Sequence, residues 1–175
     1  MLARRVGKVA EKSILVGSSP EEFRGIIHDK DIQTIETNGV VSIDHLMDLY
    51  NSIHPDYLVG ASFIMKREFF NQISKLKDEA GHYYMQNGFV NGKLTYTLFG
   101  AEIIITNSLT DDTPIVFGNI EKSYAVMIKR EQGIMHIHKD TKNAMAGTQT
   151  FLYDMYADGA VYNPQAIAKL TIRGS

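Results

Sequence analysis

The chain contains no cysteine and no tryptophan among its 175 residues, and only four prolines. The missing cysteines exclude disulfides, thiol nucleophiles and cysteine-ligated zinc together. No apolar run approaches the ~18 to 20 residues of a bilayer-spanning helix. Neither sign of charge dominates: eighteen Lys plus Arg stand against twenty Asp plus Glu, a formal net charge of -2. No global field therefore draws the chain to nucleic acid or to an anionic membrane. There is also no G-x-x-x-x-G-K-[ST] loop, G-x-G-x-x-G turn, H-E-x-x-H pair or G-x-S-x-G elbow, so the common phosphate-loop, dinucleotide, zinc-protease and serine-hydrolase chemistries have no carrier here.

What is present is ordinary globular material, 44% apolar and 22% charged, enough for one generous core or two small lobes sharing one. Leu2, Val6, Val9 and Ala10 recur with helical period while Arg4, Arg5, Lys8, Glu11 and Lys12 fill the other face, and Gly17 marks a stop. An Arg-rich amphipathic start is also a feature of organelle transit peptides; Glu11 argues against that. Ser19-Pro20-Glu21-Glu22 has the chemistry of a helix start, limited to about a turn by Gly25. Thr34 to Val41 reads as two short strands around an Asn38-Gly39 turn. Ser42 then caps a helix with Ile43, Leu46, Met47, Tyr50 and Ile53 on one face, ended by His54-Pro55.

A strand-like run from Tyr57 to Met65 feeds an amphipathic helix through Phe69, Phe70, Ile73 and Leu76. From there the character is β. Asn91-Gly92 turns Phe89-Val90 back onto Leu94 to Leu98, and strands are expected at Glu102 to Thr106, Pro114 to Phe117, Tyr124 to Lys129, Ile134 to His138, Thr148 to Tyr156 and Ala166 to Ile172, with an Asp158-Gly159 turn before the last. Helices in the first half and strands in the second make an α+β chain, not the βαβ alternation of a nucleotide-binding sheet.

Candidate chemical groups are few. His136 and His138, two apart on a strand, share a face and could chelate one ion, but no third ligand is evident and surface histidines are the plainer reading. His28 with Asp29 and Asp31 reads equally as a cation loop or a solvated turn. Asp111-Asp112 before Thr113-Pro114 is explained by turn chemistry. Tyr83, Tyr84 and Phe89, near Lys77 and Lys93, could stack on bases; with Asp78 and Glu79 beside them, core or interface packing is the better account. No catalytic residue and no cofactor is assigned.

The order of these pieces carries more than any one of them. The Tyr57 to Met65 strand, the following helix closed by Leu76 to Tyr83, the signature Leu98-Phe99-Gly100-Ala101-Glu102-Ile103, the segment Pro114 to Ile120 with Tyr124 and Arg130, and the closing Phe151, Tyr156, Asp158-Gly159, Asn163-Pro164 and Ala166-Ile167 together resemble the major capsid proteins of tailed bacteriophages with the HK97 fold. The resemblance implies a wedge with an axial lobe and a peripheral lobe, the latter built on a spine helix and a long antiparallel sheet. Residues 1–22 would be the second half of the spine helix, 23–109 mainly the axial domain, and 110–175 mainly peripheral and connecting strands. Family members carry an N-terminal arm, an E-loop and the first half of the spine helix upstream. Their absence here implies a trimmed or prophage-remnant core impaired in closing a shell alone, without the family's lysine-to-asparagine cross-link, for which Asp154 would be a loose acidic candidate.

The implied function is that of a structural virion protein whose partners are other copies of itself, in pentamers and hexamers. DNA enters only as shell content, there is no membrane partner, and the protein is located in the virion after assembly in the host cytoplasm. Tyr153, Tyr156 and Tyr162 are the interface candidates, with plain sheet packing as their alternative. An encapsulin-type nanocompartment shell shares the fold, and a small α+β enzyme or ligand-binding domain is the reading from another class.

Overall fold

The computed structural model describes residues 2–90, 92–137, 145–148 and 150–173. It begins with α1 (Leu2–Val16), stopped as expected at Gly17. Pro20 and Glu21 then make only a turn: the Glu22 carboxylate accepts from the backbone N–H groups of Ser18 and Ser19, at 3.2 and 3.4 Å, without a helix following. Those two donors hold the Glu22 carboxyl below its ordinary pKa.

The next element, β1 (Gln33–Thr37), does not turn back on itself. The hairpin expected around Asn38-Gly39 is absent; β1 pairs in parallel with the last strand, β9 (Ile167–Ile172), and the Thr37 hydroxyl closes the bend by donating to the Val40 carbonyl at 2.8 Å. A local turn signal has lost to a long-range ladder. Helix α2 (Ile43–Asn51) starts where Ser42 predicts, with a reciprocal capping box between Ser42 and His45. Its buried face is Leu46 and Leu49, followed by Ile53, while Met47, expected inward, is 40% exposed.

The strand expected from Tyr57 begins only at Ser62, because Pro55–Tyr57 is a 3-10 turn capped by the His54 ring. β2 (Ser62–Lys66) leads directly into α3 (Arg67–Ile73). β3 (Gln86–Val90) and β4 (Lys93–Leu98) form the predicted hairpin, and β5 (Ala101–Thr106) follows after the two-residue turn Phe99-Gly100. After β6 (Ile115–Gly118), the short helix α4 (Ile120–Ser123) opens β7 (Tyr124–Ile137), which pairs antiparallel with β8 (Thr150–Val161).

Two strands expected separately are therefore one. β7 is continuous over 14 residues with register shifts between Ile128 and Gly133, a ribbon roughly 45 Å long at 3.3 Å per residue. Asp158-Gly159 lies inside β8 and is not a turn: Gly159 sits opposite Val126. Glycine is needed there for a different reason. A Cβ on Gly159 would stand 2.7 Å from the Tyr124 hydroxyl and 2.9 Å from its ring.

The remaining strands make one seven-stranded sheet in the order β1-β9-β6-β2-β5-β4-β3, with β1·β9 and β2·β5 parallel and the other pairs antiparallel. The long sheet is thus mixed, and the wholly antiparallel element is the β7–β8 ribbon. Both faces of the sheet are covered at its centre. Phe63, Met65, Ile115, Phe117 and Leu170 point into a layer completed by α2 and α3, while Ile64, Val116 and Ile167, from the same strands, point into a second layer with Leu15, Phe23, Ile26 and Tyr124. Central strands read as unbroken apolar runs because both faces are dry. The expected boundary at 109/110 does not follow this sheet: β6 and β9 sit within it beside β1 and β2.

Candidate assembly surface

The titratable groups of the interior act on structure. Lys169, on the second face of the sheet, is 8% exposed and donates from Nζ to the carbonyls of Ile27 (2.8 Å) and Asp29 (2.6 Å). Burial pushes its pKa down, against the pull of the Asp29 carboxylate. Tyr124 donates to the Arg24 carbonyl at 3.0 Å, and burial, with the Asp158 charge, pushes its phenol up to about 12. Glu11 of α1 accepts from the hydroxyls of Thr106 and Ser108, so α1 is tied to the end of β5.

The candidates for chemistry do not converge. His136 is exposed on β7, opposite Phe151, and His138 lies outside the described residues. Among the described residues no group of three His, Asp or Glu is placed to hold a metal ion. Asp29 Oδ1 accepts from the Asp31 N–H at 2.9 Å, the mark of a local turn. Asp111 pairs with Lys66, whose ammonium pKa is raised by that contact.

Among the described residues, exposed apolar groups are scattered singly, as at Val9, Val40 and Met145, and clustered on two features. On the ribbon, Met127 is 74% exposed, and Val126, Ile128, Met135, Leu152 and Tyr156 are also open to solvent. Met127, Ile128 and Tyr156, with Pro20 and Ala157, line an open cleft of ≈ 780 Å³ at the ribbon's base. On the β3–β4 hairpin, Phe89 is 79% exposed beside Val90 and Leu94, and the nearby Tyr83 ring carries the Lys77 ammonium 4.6 Å from its centroid. Tyr84 packs against the core. Large apolar residues thus stand exposed side by side on the hairpin and on the ribbon.

Of the three tyrosines singled out, Tyr156 is exposed within the ribbon cleft, and Tyr162 is exposed with its hydroxyl 3.4 Å from the Glu121 carbonyl. Tyr153 belongs to β8, but its side chain lies outside the described residues. Sequence reading overlooked Met127 and Ile128 because Tyr124 to Lys129 looks like any half-buried strand. The available signal was three consecutive apolar residues, Val126-Met127-Ile128, which no strand can bury on a single face.

Comparison with known proteins identifies where this architecture recurs. The model of the phage capsid family matches residues 1–172. Among solved structures, the capsid of an empty GTA particle aligns with a TM-score of 0.75 at 16% identity, over 99% of this chain and 64% of that one. A structure of Gordonia phage Cozz gives 0.64 at 12% identity, over 99% and 61%. The holo-SrpI encapsulin complex of Synechococcus elongatus PCC 7942 gives 0.69 at 17% identity, over 97% and 62%. The chain thus spans 64% of the first of these and slightly less of the other two. Comparison with curated proteins gave no match.

Proposed function

The chain belongs to the phage capsid family, and from that premise we propose that it is a structural subunit of a phage or prophage head, working through contacts with other copies of itself and not through catalysis. The observation that carries this reading is the family match over residues 1–172. The fold supports it: the HK97-like likeness to shell-forming chains extends over 97 to 99% of the residues.

Within such a subunit the seven-stranded sheet with α2 and α3 is the axial lobe, supplied mainly by residues 23–109, and α1 with the β7–β8 ribbon is the peripheral lobe. The apolar ribbon surface, including Tyr156, then meets a neighbouring subunit, and Tyr162 and Tyr153 are kept as further interface residues of this proposal. Head-to-tail contacts between unlike patches close into rings when the rotation per subunit divides the circle, which is how copies of one chain make pentamers and hexamers. Assembly takes place in the host cytoplasm, and DNA is enclosed without being read.

An encapsulin-type compartment is the second reading, favoured by the likeness to the Synechococcus shell. Particles pelleted from lysates of the source cells test both. The chain should be a principal protein of such particles; nuclease-protected DNA inside them identifies a phage head, enclosed protein without DNA identifies a nanocompartment, and absence of the chain from every particle rejects both.

A further inference from the structure

The β3–β4 hairpin and the Phe99-Gly100 turn lie at opposite ends of one strand. β4 runs from Lys93, at the hairpin end, to Leu98, beside the turn, a separation of roughly 17 Å. At the hairpin end, Phe89 and Leu94 are directly paired and continue the face on which Tyr96 and Leu98 pack against the core, while Lys93 is exposed opposite Val90. At the other end is an open cleft of ≈ 670 Å³ whose lining includes Tyr50, Leu58, Val59, Phe99 and Glu102.

This cleft is built and held. The Val59 carbonyl accepts from Asn119 Nδ2 at 2.8 Å, which fixes a loop whose Val59 side chain is 83% exposed. Phe99 takes a φ of 52° in a two-residue turn where Asn would be relaxed, and its ring meets Tyr50 edge-on at 5.8 Å and Phe63 at 6.4 Å. The backbone thus accepts a strained conformation to keep an aromatic wall in place. Neither Lys93 nor Glu102 forms an ion pair among the described residues.

The register puts Phe89 and Leu94 on one face of the strands and Lys93, like Glu102, on the other. An apolar pair backed by a cation and a cleft with two aromatic rings backed by an acid are complementary, and a single copy cannot bring its own two ends of β4 together. We propose that the hairpin end of one copy, Phe89 and Leu94, docks into the Tyr50, Val59 and Phe99 cleft of the next, with Lys93 of the first facing Glu102 of the second. The contact is heterologous, so it propagates from copy to copy, and it closes into a ring where the rotation per subunit divides the circle. It names the partner surface for the shell reading above and rests on that reading.

The cysteine-free chain makes the test direct. Val90→Cys and Val59→Cys are placed on separate full-length chains, mixed and mildly oxidised, with Val40→Cys, also highly exposed, replacing Val59→Cys as the control. The Val90–Val59 mixed disulfide should exceed the control several-fold. Lys93→Glu on the first chain should lower its yield several-fold, and Glu102→Lys on the second should restore it. A yield no higher than the control, or dominance of the Val90→Cys homodimer, overturns the contact. If particles from the source cells still contain the chain, only the contact falls; if the disulfide forms but no particle contains the chain, the contact stands and the shell reading falls.

Discussion

Lys169 and Tyr124 bring charge chemistry into an apolar layer, and their pKa shifts act on stability with opposite signs. The folded pKa of Lys169 is below its unfolded value, so the unfolded chain holds that proton more tightly and this site's contribution rises as pH climbs toward the unfolded value of about 10.4. Tyr124 is the reverse. Its folded value of about 12 lies above an unfolded value of about 10, so its contribution is complete below pH ~10 and drains away as pH rises through about 12. In Tyr124→Phe, thermal melts should lose that part of the alkaline decline, with a cost at neutral pH of about 0.5–1.5 kcal/mol for the lost bond to Arg24. Lys169→Met strips the Ile27 and Asp29 carbonyls of their donor, and urea titration should show a loss of about 1–3 kcal/mol. Gly159→Ala should cost a similar amount, since its methyl would displace the Tyr124 ring.

Among the elements, α2 and α1 are secured in different ways. α2 depends on its cap: the Ser42 hydroxyl accepts from the His45 N–H while the His45 ring answers the Ser42 N–H. Ser42→Ala should destabilise the protein by about 1 kcal/mol, read from the midpoint of a denaturant titration at unchanged slope. α1 is held by its apolar C-terminal end, where Leu15 is buried, and by Glu11 reaching Thr106 and Ser108. Glu11→Ala should leave the global midpoint nearly unchanged while speeding amide exchange in α1, because exposed or half-exposed polar ties contribute little to the total and much to local order.

For the whole molecule, the contrast lies between a sheet buried on both sides and a ribbon of two strands. Two-stranded ribbons are marginal by themselves in water, and this one exposes Met127, Ile128, Met135 and Leu152. Hydrogen exchange of the isolated chain should therefore find β2, β6 and β9 best protected and the part of β7 beyond Ile128 poorly protected. On assembly the ribbon amides, and those of the β3–β4 hairpin, should slow by orders of magnitude while those of the central strands β2, β6 and β9 change little. An equal slowing everywhere would place the subunit contacts elsewhere.

Much of this protein is local enough to be legible in its sequence. The stop of α1 at Gly17, the Ser42 cap, the Asn91-Gly92 hairpin and the α+β order depend on neighbours within a few residues, and the order of motifs was sufficient for the family. Two of the failures share one cause. Asn38-Gly39 and Asp158-Gly159 have turn composition, yet β1 is claimed by β9 from the far end of the chain, and Gly159 is dictated by a tyrosine 35 positions earlier pressing on its backbone. Likewise Phe89 and Phe63 are both phenylalanines within strands; one is 79% exposed and the other fully buried. Apolarity by itself determines that a side chain should leave water. Whether the same chain covers it, or leaves it for a second copy, is decided only when the sheet has assembled and its edges are known, because burial is a property of the three-dimensional neighbourhood and not of the residue.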